Sequence, residues 1–265
     1  MIDYDSIEIV TQENHSLFMR LRNPSMDAGY IVKNIEGLDA PDFNLITRES
    51  LYGRTSLMSN RVAKREITLT VLLNTFKGTA GVAEAREKFY KLVGYGENDF
   101  VRFRLLKNSN EVAFIECYVK SIQQNPFTKD PELQIVFACR DSYIRGSFVS
   151  VIPTMQLGNF TINYNGTAPT YIHAAGSNTG TYWYLHNQTA NEIIYVERTT
   201  PSRWDYNSSP ENRYITAGSK NMIGNIRDTD RYNYWIQLRP GINRFRTLNV
   251  TTISILEYYE RHLGV

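Results

Sequence analysis

Arg65-Glu66-Ile67-Thr68-Leu69-Thr70-Val71-Leu72-Leu73 decides how this chain is read. Ile67, Leu69, Val71 and Leu73 fall on one side; Glu66, Thr68 and Thr70 fall on the other. Successive side chains of a strand point to opposite faces, so this alternation with β-branched residues predicts a half-buried strand. The residues before it, from Asn44 onward, read differently. Leu51-Tyr52 and Leu57-Met58 are apolar pairs bracketing Gly53-Arg54-Thr55-Ser56 in an otherwise polar run. Gly53 supplies a turn, and the pattern predicts a projecting hairpin, an arm over about residues 44–64. The apolar side chains of an arm need cover. It either folds back on its own domain or lies on another subunit.

Around this stretch the chain is rich in strands. Ser16–Leu21 and Gly29–Ile35 precede the arm, punctuated by Asn23-Pro24 and Asp27-Ala28-Gly29. Gly78–Gly94 is a helix: Val82, Ala85, Phe89 and Leu92 step by three and four residues onto one face. Glu84/Lys88 and Glu87/Lys91 stand in the favourable i,i+4 order, Thr79 is a candidate cap, and Gly94 suits the C-terminal turn. Phe100–Leu106, Val112–Ile122 and Leu133–Cys139 are further alternating strands. Strands around one helix predict a first domain of α+β or split-barrel type, residues 1–147.

Beyond Gly146 and Pro153 lysine nearly vanishes, leaving only Lys220, while Tyr, Asn, Thr and Trp rise. Short strands recur at Asn159–Tyr164, Thr170–His173, Tyr182–His186, Glu192–Val196, Tyr214–Ala217, Tyr234–Leu238, Asn243–Arg246 and Thr251–Tyr258. Asn165-Gly166, Ala217-Gly218 and Pro240-Gly241 supply turns between them. This rhythm predicts an antiparallel β-sandwich over residues 148–265.

Charge and chemistry exclude several classes. Residues 1–147 hold 19 basic and 19 acidic residues, so no block favours nucleic acid or a membrane surface. The first residues carry neither a basic nor an apolar leader region, and no run is long enough to span a bilayer. The expectation is a soluble chain made in a cytoplasm. Cys117 and Cys139 sit at inward strand positions and read as reduced, buried thiols; a bridge between neighbouring strands would need close Cα atoms. His15, His173, His186 and His262 lack ligand spacing or a local carboxylate-rich motif. No phosphate-cradling loop or nucleophile elbow occurs, and Asp228 and Asp230 lie in a polar loop. The chain reads as no enzyme, without cofactor or metal.

The order of features resembles the distal tail protein (Dit) family of long-tailed bacteriophages. Ile35-Glu36-Gly37-Leu38, Gly53, Arg65-Glu66-Ile67-Thr68-Leu69, the single helix and Val136-Phe137-Ala138-Cys139-Arg140-Asp141-Ser142-Tyr143 carry the likeness in the first domain. Phe160-Thr161-Ile162-Asn163, Asn165-Gly166-Thr167-Ala168-Pro169, Leu238-Arg239-Pro240-Gly241-Ile242-Asn243 and Ile253–Tyr259 carry it in the second. The resemblance implies a mainly β, two-domain structural protein of the phage tail tip. Its first domain would form a hexameric ring, the arm residues Leu51, Tyr52, Leu57 and Met58 embracing the neighbour. Its second domain would be a galectin-like sandwich. The implied partners are its own copies, the tail tube protein, the tail-tip hub protein and receptor-binding proteins, with DNA passing through the lumen without specific binding.

A second reading is a glycan-binding adhesion module for host cell-wall carbohydrate. Trp183, Trp204 and Trp235 are the candidate sugar platforms. Trp183 and Trp235 fall within predicted strands and suit the core. Trp204, beside Pro201 and Asp205 in a predicted loop, is the candidate glycan contact.

Overall fold

Ile67, Leu69, Val71 and Leu73 are all buried, as their alternation requires. Burying side chains of this size stabilises by about 1.5–3 kcal/mol each. They belong to a computed structural model that describes residues 2–21, 29–49, 55–73, 82–93, 100–124, 131–227 and 233–265. The chain is mainly β and divides into two units, Met1–Arg145 with Leu263–Val265, and Gly146–His262. The last three residues are therefore not part of the second unit, as a simple cut after Ser147 would have them. Val265 N–H donates to Leu38 O at 3.2 Å, which returns the chain to the first.

In the first unit the strands are β1 (Ser6–Thr11), β2 (Ser16–Arg20), β3 (Tyr30–Glu36), β4 (Phe43–Glu49), β5 (Thr55–Val62) and β6 (Glu66–Leu73). The helix α1 (Val82–Val93) follows, then β7 (Phe100–Lys107), β8 (Asn110–Gln124) and β9 (Glu132–Cys139). β10 (Ile144–Val151) begins at its end. Antiparallel ladders run in the order β2-β1-β7-β8-β9-β6-β3. β2 and β3 approach each other, so the sheet is strongly curled. Its concave face holds Ile7, Ile9, Val101, Phe103, Ile115, Ile135 and Phe137 in one core. Helix α1 adds Ala85, Phe89 and Val93 to that core, and Tyr30 lies against Phe89 at 5.2 Å between ring centroids. The i,i+4 pair Glu87–Lys91 forms at 2.8 Å. Thr79 and Gly94, the predicted helix ends, lie outside the described residues.

The strands of the second unit are β11 (Asn159–Tyr164), β12 (Thr170–Tyr171), β13 (His173–Asn178), β14 (Tyr182–Asn187), β15 (Glu192–Glu197) and β16 (Ser202–Asn207). β17 (Tyr214–Ala217), β18 (Lys220–Asn221), β19 (Gln237–Leu238), β20 (Gly241–Leu248) and β21 (Val250–His262) complete it. One sheet runs β18-β17-β16-β13-β21-β10 and another β11-β20-β14-β15. They share a core in which Trp183 of β14 stacks on Trp204 of β16 at 4.6 Å. Tyr164, predicted to precede a turn, is 1% exposed; its hydroxyl donates to Ala168 O at 2.7 Å and accepts from Arg261 N–H at 2.8 Å. Burial pushes its pKa up to about 12. The Pro240-Gly241 turn is closed by the buried Asn243, whose amide accepts from Arg239 N–H at 2.8 Å and donates to Arg239 O at 2.7 Å.

Five strands escape the sequence reading, β10 and the two-residue β18 among them. β1 alternates Ile7 and Ile9 with Glu8 and was legible. β13 (His-Ala-Ala-Gly-Ser-Asn) and β16 (Ser-Arg-Trp-Asp-Tyr-Asn) were not, because small and polar residues mask their alternation. β13 is small for a reason. A Cβ on Gly176 would sit 2.7 Å from the Trp204 ring and 2.2 Å from Thr252 O.

Candidate functional site

β4 and β5 form the predicted hairpin. They pair antiparallel from Phe43↔Val62 to Glu49↔Thr55, and among the described residues they pair only with each other. Ile46 pairs with Ser59 and Thr47 with Leu57, which leaves Met58 as the extra residue of a β-bulge. Bulges bend a strand and re-aim it, a common device where a strand serves contact. Leu51, Tyr52 and Gly53 lie outside the described residues. The backbone of Leu57 and Met58 belongs to β5, and their side chains lie outside what is described.

The root of this hairpin is built in detail. Ala63 N–H donates to Asp42 O at 2.8 Å, closing the two legs. Next to it, Arg65 is only 3% exposed. Its Nε donates to Ser142 O at 2.9 Å, and Nη1 donates to Gly37 O at 2.5 Å and Asp39 O at 2.8 Å. Nη2 donates to Leu263 O. Ser142 Oγ donates to Ala63 O at 2.8 Å. A buried cation is costly unless its donors are met, and the fork of a guanidinium meets four carbonyls from three segments of the chain. Gly37 has φ +86°, and a Cβ there would lie 1.9 Å from Glu66 O, so the turn into the arm needs glycine. The sequence marks Arg65 and Gly37, but not that they meet.

On the outer face of the second unit, His173 lies between two carboxylates. Its Nδ1 is 2.9 Å from Glu257 on β21 and its Nε2 is 2.8 Å from Asp205 on β16. Tyr214 flanks the imidazole with ring centroids 6.4 Å apart, and Ser150 Oγ donates to Glu257 at 3.2 Å. Burial alone would lower the pKa of His173, but the hydrogen bonds it makes to the Glu257 and Asp205 carboxylates outweigh it and raise the value. The absence of a local carboxylate motif in the sequence misled here: the partners stand 84 and 32 residues away and arrive by strand register. The imidazole separates the carboxylates. Among the described residues no group of His, Cys, Asp and Glu is placed to hold a metal ion.

Next to this cluster, Ser177, Arg203, Asp205, Thr216, Thr252 and Ser254 line an open concavity of about 670 Å³. Trp204 also borders it, but its ring stacks on Trp183 in the core. It is 2% exposed on a core strand, not in a loop, which corrects its placement as a glycan contact. Trp235 departs from expectation in the opposite sense. It lies outside the strands, half-buried, stacked on Tyr206 at 6.1 Å with the Arg213 guanidinium 5.1 Å from its ring.

No protein-family model matches the chain, and no curated protein matches it by sequence. Among solved structures, the Dit protein of phage SPP1 superposes with a TM-score of 0.67. The match covers 96% of this chain and 98% of that one at 11% identity. The chain has the distal tail protein fold. A chain of the phage P2 baseplate in its activated conformation with Ca scores 0.45 at 9% identity over 100% of both chains.

Two outcomes follow from this geometry. Arg65→Ala should lower the stability of the chain by about 3 kcal/mol or more, because four part-buried carbonyls lose the charged donor that joins their segments. Arg65→Lys should restore little of it, since one ammonium cannot reach all four; denaturant unfolding showing a native-like Lys variant would contradict the clamp. The second concerns pH. With its folded pKa raised above 6.5, His173 stabilises fully below that value, and the contribution is lost as pH rises through the folded pKa. The melting temperature should fall modestly between about pH 6 and about pH 8, and His173→Gln should remove that part of the fall. An unchanged slope in the variant would show that the cluster carries no proton linkage.

Proposed function

We propose that this chain is a structural hub of a phage tail tip, and that it acts by assembly instead of catalysis. The observation that carries the reading is the fold match to SPP1 Dit, which spans both units and nearly all of both chains. SPP1 Dit is itself described as a paradigm of the hub adsorption apparatus in phages infecting Gram-positive bacteria. On this reading the first unit, a split barrel with an arm, forms a hexameric ring, and the second is a galectin-like sandwich. The partners are the tail tube protein, the tail-tip hub protein and receptor-binding proteins, and the site of action is the virion.

Charge supports a conduit that does not hold DNA. Arg102 and Arg104 pair with Glu111, Arg104 also with Glu8, and Lys120 with Glu66. Cations already matched by carboxylates offer little to phosphates, and unpaired clusters are what grip a polyanion. The adhesin reading has lost its ligand residue, because Trp204 fills the core.

The arm gives the test. Leu51, Tyr52, Leu57 and Met58 bury on the neighbouring subunit in this proposal, each worth about 1.5–3 kcal/mol before ordering costs. Leu57→Ser with Met58→Ser should weaken subunit association by roughly 100-fold or more, measured by light scattering across a dilution series. The melting temperature of the dissociated subunit should hardly change. An intact assembly with a markedly lower subunit melting temperature would place the arm on its own unit instead.

A further inference from the structure

Cys117 on β8 and Cys139 on β9 face each other directly in the antiparallel ladder, with their Sγ atoms 3.4 Å apart. Both are unbridged thiols. The kind of pair they form can be read from the backbone. Arg140 N–H donates to Glu116 O at 2.8 Å, whereas Cys139 N–H points the other way, to Arg65 O at 3.0 Å. Cys117 and Cys139 thus form a non-hydrogen-bonded pair, the position where opposed Cα atoms come closest, about 4.5 Å. That separation lies inside the range a disulfide spans, roughly 4.4–6.8 Å.

We propose that Cys117 and Cys139 are a closable dithiol, a modification site at which oxidation staples β8 to β9 without moving the backbone. The two sulfurs differ in access. Cys117 is fully buried and Cys139 is half-buried, so Cys139 meets the oxidant first. Cys117 keeps its proton: the hydrogen bond to Cys139, then burial, hold its pKa well above the ordinary thiol value. The reaction with a small disulfide such as oxidised glutathione balances in two exchanges. The Cys139 thiolate attacks one glutathione sulfur and expels the other as a thiolate. Cys117 then gives up its proton at the alkaline pH, attacks Cys139 Sγ as the thiolate and expels the second glutathione as a thiolate, and the two protons from the cysteines end on the two reduced glutathiones. The protein is oxidised by two electrons and the reagent reduced by two.

The chemistry stands apart from the tail-hub reading, but its timing rests on it. A chain made in a reducing cytoplasm and carried outside in a virion would close the bridge after assembly. The full chain should be incubated with oxidised glutathione at mildly alkaline pH, then denatured for thiol titration and intact mass measurement. The expected result is loss of both thiols, a mass lower by two hydrogen atoms, peptides holding Cys117 and Cys139 linked until reduced, and a melting temperature higher by on the order of 5 °C. Cys117→Ala should trap a glutathione adduct on Cys139. Two thiols surviving, a stable adduct on the native chain, or bridges between chains would each overturn the proposal. Absence of the adduct in Cys117→Ala would overturn the assignment of Cys139 as first attacker.

Discussion

A single buried cation organises the first unit. Arg65 sits where β6 begins, and its guanidinium gathers the carbonyls of Gly37, Asp39, Ser142 and Leu263. Desolvating that charge costs several kcal/mol, and only near-complete use of its donors offsets the cost. The requirement explains the surrounding features. Gly37 must be glycine so that the β3–β4 turn can approach Glu66 O, and Ser142 ties the far leg of the arm through Ala63 O. Residues 263–265 come back across the second unit's span of sequence to complete the set. The hairpin β4–β5 thus stands on a root tied to the β3–β4 turn, to Ser142 and to Leu263.

The second unit depends on volume instead. Trp183 and Trp204 stack between two sheets, and the strand opposite Trp204 must give way at Gly176. The inward Ala174 and Gly176 of β13 are therefore small, while His173 and Ser177 on its outward face are polar. His173 uses one of them to bridge Asp205 and Glu257, tying three strands on the solvent side where the core ties them within.

This division shows what the sequence made legible. Ile67 to Leu73, the helix face at Ala85 and Phe89, and the turns at Gly166 and Gly241 were readable because local period and turn chemistry carry their own signal. Trp204 is misread since Pro201 and Asp205 beside it suggest a loop, and only pairing with β13 makes the segment a strand. The arm was readable as a hairpin from Gly53 and its apolar pairs. The Arg65 clamp and the His173 cluster were not readable: each joins residues many tens of positions apart, and register that depends on tertiary pairing leaves no mark in a window of sequence.

The proposed function rests on one claim, that the chain works as a closed ring of its own copies. The most direct measurement is the mass of the untreated full chain in solution by analytical ultracentrifugation, with negative-stain images of the same sample. The account predicts a hexamer with an open central lumen. A monomer persisting at the highest soluble concentration would contradict it.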